Sequence, residues 1–277
     1  MMQFQKMHGL GNDFIFLNDI DLTKYDLHKL AIQLCNRNTG IGADGIVLIL
    51  PSKKADVRMR IVNADGSEAD MCGNAIRCFA KLVYETGMIQ KESFKIENFA
   101  GIIIPELIIE DDIVQAVRVN MGEPKLKRAD IPMTGKKTAT AIHFPLKIGK
   151  KTFHITSLLM GVPHTMVFVD NLDEVDIVGI GRQIEKHAAF PKGTNVNFVE
   201  VINQEEIKLR TWERGAGSTL ACGTGSCASA VASALNGKTG KQVTVHLALG
   251  DLFIDWSNEH VYMTGPATNV FSGEIEI

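Results

Sequence analysis

The chain contains the same pattern twice. A strand, a turn and a cysteine run from Val57 to Ala75 and again from Ile207 to Gly225, and the copies align without a gap 150 residues apart. At that spacing Arg60 falls on Arg210, Cys72 on Cys222, Gly73 on Gly223 and Ala80 on Ala230, while Gly45–Leu48 falls on Asn195–Phe198. A shift of 152 lays Asn12 on His164 and Phe16 on Phe168. A period this long means two duplicated lobes, not a solenoid of short repeats. At 277 residues each lobe has chain enough for its own core.

Within each copy, alternating strands lead through a turn into a helix. Asp26 is placed to cap a helix bearing Leu27, Leu30, Ala31 and Leu34 at helical spacing. Val57–Val62 alternates as a strand, Asn63–Gly66 turns, and a helix runs from about Gly73 to near Gly87. Phe94–Met121 reads as two or three strands, and the chain crosses to its second lobe near Gly122–Pro124. Gly135–Thr140 reads as an exposed hairpin, and further helices are expected near Val178–His187 and over Thr224–Asn236. Strands with few helices make the fold class α+β, with lobes at 1–120 and 121–266.

Charge and composition exclude several functions. A net charge of −3 leaves no basic excess for phosphates, so no nucleic-acid partner is expected. Pro105 and Glu106 break the longest apolar stretch, so no membrane span is expected. Met1–Gly9 reads as neither signal nor transit peptide. With five cysteines and no Cys-x-x-Cys, the expectation is a cytoplasmic protein with reduced thiols.

Cys72 and Cys222 each precede a glycine and open a helix. Exposed backbone N–H groups and the positive end of the helix dipole gather there, which lowers a thiol pKa and cradles a carboxylate. Two equivalent thiols on opposite sides of one cleft remove a proton from one face of a carbon and return one to the other, with roles exchanged in reverse. A carboxylate cradle serves that chemistry, because charge builds on the carboxylate as the α-carbanion forms. The bland alternative is that cysteines are commonly buried and only pack; the gap-free pairing speaks against it. Cys35, Cys78 and Cys227 lie on helical faces and read as packing residues. Cys72 with Cys78, and Cys222 with Cys227, lack the short spacing of structural zinc, so no metal is expected. No lysine stands in a recognisable pyridoxal context, and Gly215-Ala-Gly217 completes no dinucleotide fingerprint, so no cofactor is expected either.

Asn12, Asn63, Asn195, Glu213 and Arg214 stand at turns or strand ends beside the duplicated motif. Singly, each asparagine has an ordinary turn role open to it, and Glu213 with Arg214 an ion pair on a strand edge. Together they make a polar set able to hold an amine and a carboxylate, Arg214 in bidentate fashion. His164 reads equally as a neutral partner of a substrate amine and as a structural histidine.

These segments in order are Lys6–Phe14, Gly40–Gly45, Asn63–Glu68, Cys72–Cys78, Asn195–Phe198, Glu213–Gly217 and Ala221–Gly225. The chain resembles the diaminopimelate epimerase family through them, along nearly its whole length. The resemblance implies a cofactor-independent epimerase converting L,L-diaminopimelate to the meso form, in lysine and peptidoglycan-precursor synthesis. It implies two pseudo-twofold lobes, each a strand-rich barrel around a central helix, with about 267–277 returning to complete the first. It implies Cys72 and Cys222 as the acid/base pair, and Asn12, Asn63, Asn195, Glu213 and Arg214 as substrate contacts. Gly73-Asn74 and Gly223-Thr224 would cradle the α-carboxylate, with His164 in support; lobe closure and a homodimer are also implied. Where many members read Gly-Asn-Pro-His, this chain reads Gly161-Val162-Pro163-His164. Val162 leaves room for a relative acting on lanthionine, histidine or another amino acid. A catalytically idle amino-acid-binding protein is the reading from outside enzymology, and retention of both thiols speaks against it.

Overall fold

The computed structural model describes residues 1–18 and 20–277. The chain divides into two compact units, Met1–Asn120 with Thr264–Ile277, and Met121–Met263. The fold is α+β.

The first unit contains β1 (Met2–Gly9), β2 (Asn12–Leu17), α1 (Leu27–Cys35), β3 (Gly45–Leu50), β4 (Val57–Asn63), β5 (Glu68–Ala69), α2 (Gly73–Glu85), β6 (Ile96–Asn98), β7 (Gly101–Ile103), β8 (Glu106–Glu110) and β9 (Ile113–Asn120). The second contains β10 (Ala141–Ile148), β11 (Lys151–Met160), β12 (Val162–Val169), α3 (Ile177–Glu185), β13 (Asn195–Val201), β14 (Glu206–Glu213), β15 (Gly217–Thr219), α4 (Gly223–Leu235), β16 (Gln242–Leu247), β17 (Gly250–Ser257) and β18 (His260–Gly265). The chain then returns to the first unit as β19 (Thr268–Ile275), antiparallel to β1 from Met2↔Ile275 to His8↔Thr268.

In the first unit the strand order is β19-β1-β2-β3-β4-β6-β7. β4 alternates as its sequence demands, with Val57, Met59 and Ile61 inward and Arg58 and Arg60 between them. β3 is buried on both faces, which suits its run Gly-Ile-Val-Leu-Ile-Leu. Ile46 and Leu48 meet Leu30, Ala31 and Leu34 of α1. α2 is interior, with every residue from Gly73 to Val83 buried. Its cations bond within the unit: Arg77 Nε donates to the Pro266 carbonyl at 3.1 Å and Lys81 Nζ to the Val114 carbonyl at 2.6 Å. Gly9 is required where β1 crosses the first turn of α2. A Cβ there would lie 2.9 Å from the Arg77 guanidinium and 3.1 Å from the Asn74 Cβ.

The second unit repeats the plan with the order β10-β11-β12-β13-β14-β16-β17-β18. α1 and α3 are both nine residues, α2 and α4 both thirteen, and each pair is offset by 150 positions. The caps repeat too. Asp26 accepts the His28 and Lys29 N–H groups, and Asp176 accepts Gly179 N–H at 2.8 Å. α4 reads Gly-Thr-Gly-Ser-Cys-Ala-Ser-Ala-Val-Ala-Ser-Ala-Leu, and its small side chains let β11 to β14, β16 and β17 all approach it.

Strand register corrects the 152 shift. Phe14 pairs with Gly45 and His164 with Asn195, so beyond the β11–β12 turn the offset is 150. The counterpart of His164 is therefore Phe14, and that of Asn12 is Val162. Met7 pairs with Phe14 but Leu158 with His164, which puts β1 and β11 at an offset of 151. The second copy is one residue shorter at this turn, and a shift matched on Phe16 and Phe168 overshoots. Two local readings also change. Phe94–Met121 holds four strands instead of two or three, and Gly135–Thr140 forms turns with no strand of its own, held to Lys127–Ala129 by one antiparallel bridge, Lys127↔Thr140, and two backbone hydrogen bonds.

Candidate active site

Cys72 and Cys222 occupy the N-cap positions of α2 and α4, with extended backbone at φ −144° and −131°. Neither thiol makes a standard capping hydrogen bond, so the first-turn N–H groups, Gly73 and Asn74 in one unit and Gly223 and Thr224 in the other, are not consumed by a side-chain cap. Each helix start therefore presents these N–H groups beside a sulfur.

In the first unit Cys72 is half-buried and its thiol faces the Asn12 side-chain oxygen at 3.6 Å. The same oxygen accepts from Asn74 Nδ2 at 3.1 Å. Asn12 Nδ2 donates to Asp44 at 2.7 Å, which settles the amide's orientation. Asp44 is held in turn by Arg37, and Arg37 forks onto Asp13 at 2.8 and 3.0 Å. Lys6 pairs with Asp13 and reaches the Gly42 carbonyl. Burial alone would raise the Asp13 pKa, but the hydrogen bonds from Arg37 and Lys6 outweigh it and hold the carboxyl at about 2. Asn63 lies apart from this cluster in its contacts: its amide donates to Ser67 Oγ at 3.0 Å inside its own turn.

In the second unit Cys222 is 5% exposed. Its sulfur lies 3.4 Å from a Glu213 oxygen and 3.6 Å from the Thr224 hydroxyl. The other Glu213 oxygen accepts from Thr219 at 2.7 Å. Burial pushes the Cys222 thiol well above its ordinary value and the Glu213 charge adds to this; the Thr224 hydroxyl and Gly225 amide pull the other way. The lowered thiol pKa expected from the helix start is thus overridden: desolvation of a small buried anion exceeds the pull of the dipole. Gly225 makes room for this arrangement, since a Cβ would stand 2.6 Å from Asn197 Oδ1 and 3.1 Å from the Cys222 sulfur.

Glu213 and Arg214 part company instead of pairing along a strand edge. The Arg214 guanidinium donates to the Lys192 carbonyl at 2.8 Å, and its backbone N–H to Asn195 Oδ1 at 2.9 Å. His164 is fully buried, with Nε2 3.1 Å from Thr224 Oγ1. Burial, with the Arg214 charge, lowers its pKa to about 3, so the ring is neutral at ordinary pH.

The second unit thus gathers Cys222, Glu213, Thr224 and His164, with Asn195 and Arg214 adjoining, and the first gathers Cys72, Asn12 and Asn74. The sequence reading missed Asp44 and Thr219. Asp44 carried a signal in Gly-Ala-Asp-Gly, an acid in a loop leading into a buried strand; Thr219 carried none. Among the described residues no three His, Cys, Asp or Glu side chains gather as metal ligands, and no helix is long and apolar enough to cross a membrane.

Comparison with known proteins follows the same lines. The family model "Diaminopimelate epimerase" matches residues 4–127 and 156–270. The diaminopimelate epimerase of Pelotomaculum thermopropionicum is 54% identical over 276 residues, covering 99% of this chain and 98% of its own. That of Heliobacterium modesticaldum is 50% identical over all of both chains. Among solved structures, a PhzF-family phenazine biosynthesis protein from Bacillus anthracis is similar at a TM-score of 0.71 and 17% identity, covering 100% of this chain and 99% of that one. A hydroxyproline epimerase from Agrobacterium vitis is similar at 0.69 and 16% identity, over 99% and 90%. At such identities the structures speak to the fold alone.

Proposed function

Since the chain belongs to the diaminopimelate epimerase family, we infer that it interconverts L,L-diaminopimelate and meso-diaminopimelate, and that Cys72 and Cys222 are the acid and base. The observation that carries the reading is that both duplicated cysteines stand at helix N-caps beside first-turn N–H groups. One thiolate takes the α-proton and the other thiol delivers a proton to the opposite face; in the reverse direction the roles exchange. The N–H groups of Gly73, Asn74, Gly223 and Thr224 hold the α-carboxylate, where charge accumulates as the carbanion forms. Glu213, 3.4 Å from the Cys222 sulfur, is placed to accept that thiol's proton as it becomes the base.

Arg214 and the amides of Asn63 and Asn195 bind the distal amino-carboxylate, and Asn12 reaches the substrate beside Cys72. His164 supports the site through Thr224. The two thiols complete the proton transfers, so the reaction calls for no added cofactor. The enzyme serves lysine and peptidoglycan-precursor synthesis, acts in the cytoplasm on a free amino acid, and works as a homodimer in which each protomer carries one pair of units.

Val162 favours a second reading. It occupies the place of Asn12 in the second copy and offers no hydrogen bond, which admits lanthionine or histidine as substrate. One hydrogen bond is worth about 0.5–1.5 kcal/mol, too little to displace diaminopimelate as the first choice. Purified protein offered these three amino acids separately decides it: epimerisation of diaminopimelate alone supports the first reading, and epimerisation of another alone supports the second.

A further inference from the structure

A string of buried polar groups lies behind Cys222, and the repeat supplies its control. His164, Asn197 and Thr211 are all at most 3% exposed. Their counterparts 150 positions earlier are Phe14, Val47 and Ile61, equally buried and wholly apolar. The scaffold therefore packs at these three places without polar groups. An imidazole, an amide and a hydroxyl buried there cost desolvation that the fold does not need, and each must be satisfied by a neighbour.

The hydrogen bonds run in one direction. Asn197 Nδ2 lies 3.0 Å from His164 Nδ1 and 3.7 Å from the Met166 sulfur. A thioether only accepts, so the amide nitrogen, not the oxygen, faces this side. Asn197 Oδ1 accepts from Thr211 Oγ1 at 3.1 Å, which holds the amide from its other end. An NH₂ group has no acceptor to offer, so His164 Nδ1 is the bare nitrogen and the ring proton sits on Nε2. Nε2–H donates to Thr224 Oγ1 at 3.1 Å. The Cys222 thiol donates its proton to Glu213 at 3.4 Å, so at the 3.6 Å contact with Thr224 the hydroxyl is the donor and the sulfur the acceptor.

We propose that Asn197 is a positioning residue for the reaction: by holding neutral His164 as its Nε2–H tautomer it directs the Thr224 hydroxyl proton onto the Cys222 sulfur and so favours the thiolate. The opposite tautomer would make Nε2 an acceptor, draw the hydroxyl proton to itself and leave the sulfur without that donor. Glu213 from β14 and the α4 amides also face the sulfur, and Arg214 faces His164; none of them depends on the tautomer. The role in catalysis rests on Cys222 being an acid/base thiol; the hydrogen-bond relay itself does not.

Long-range ¹H–¹⁵N NMR on protein labelled at histidine, with the His164 signal identified by its loss in His164→Gln, reads the tautomer directly. A protonated Nε2 and bare Nδ1 in the native protein is expected, and Nδ1–H would overturn the proposal. Iodoacetamide alkylation against pH, in a Cys72→Ala background, then reads the Cys222 thiol without any substrate. Asn197→Leu and Thr224→Val are each expected to move that profile up by about one pH unit, a roughly tenfold slower reaction at fixed pH, as loss of one hydrogen bond to a charged group costs. The double variant should move it no further than either single one. Additive shifts, or an unmoved profile in Thr224→Val, would overturn the relay. Should Asn197→Leu fail to fold, the native spectrum and Thr224→Val still decide. Failure of the diaminopimelate reading would leave both readouts unchanged.

Discussion

Asp44 accepts the Asn12 side-chain amide at 2.7 Å and thereby decides that the Asn12 oxygen, not its nitrogen, meets the Cys72 thiol. Asp44→Ala frees that amide to rotate. A hydrogen bond to a charged group is worth about 1.5–3 kcal/mol, so kcat/KM should fall by roughly tenfold or more. Steady-state kinetics check this, with circular dichroism showing the fold retained. Unchanged kcat/KM would mean that the orientation of Asn12 is immaterial.

Glu213 holds Cys222 with one oxygen and Thr219 with the other. Glu213→Gln keeps the shape and removes the proton acceptor, so kcat should fall by about 100-fold, the lower end of general acid–base contributions. Thr219→Val leaves the carboxylate in place but less well aimed, and a smaller loss of about threefold to tenfold is expected. Equal losses in the two variants would argue against Glu213 as a proton acceptor.

His164 should make stability depend on pH. Its folded pKa of about 3 lies below the ordinary histidine value of 6.5. Between the two the unfolded chain binds the extra proton, so stability is full above about pH 6.5 and is lost as pH falls toward 3. The slope is about 1.4 kcal/mol per pH unit at most. Replacing His164 with phenylalanine, the residue its counterpart Phe14 supplies, should remove this component while abolishing the Thr224 contact. Urea unfolding at pH 4, 5 and 7 measures it; equal pH dependence in both proteins would show that His164 does not titrate as placed.

Val162→Asn restores in the second copy the side chain that Asn12 provides in the first. If the added amide reaches diaminopimelate, KM should drop by about twofold to tenfold, the worth of one neutral hydrogen bond, with kcat little changed. An unchanged KM for diaminopimelate and a lowered one for lanthionine would favour the second substrate reading.

Much of this was legible in the sequence, for reasons that differ residue by residue. Asp26, Cys72 and Cys222 were readable because helix starts impose local chemistry, and the gap-free repeat marked both cysteines at once. Asn197 and Thr211 were not, because a polar residue in a strand reads as solvent-facing until its neighbours are known. The signal lay in the repeat itself, where Val47 and Ile61 stand opposite them, but it needed the register that a one-residue change in the β11–β12 turn obscures. The Cys222 thiol was misread for a physical reason: a dipole is visible in sequence, and the depth of burial opposing it is not.

Removal of the α-proton by one thiol and delivery of a different proton by the other is tested by running the reaction in D₂O with purified protein and L,L-diaminopimelate, no cofactor added, and following both isomers by NMR at early times. Newly formed meso isomer should carry solvent deuterium at the inverted carbon while the remaining L,L isomer keeps its proton, and Cys72→Ser and Cys222→Ser should each lose nearly all turnover. Deuterium appearing first in unconverted substrate, or full activity in either serine variant, would contradict it.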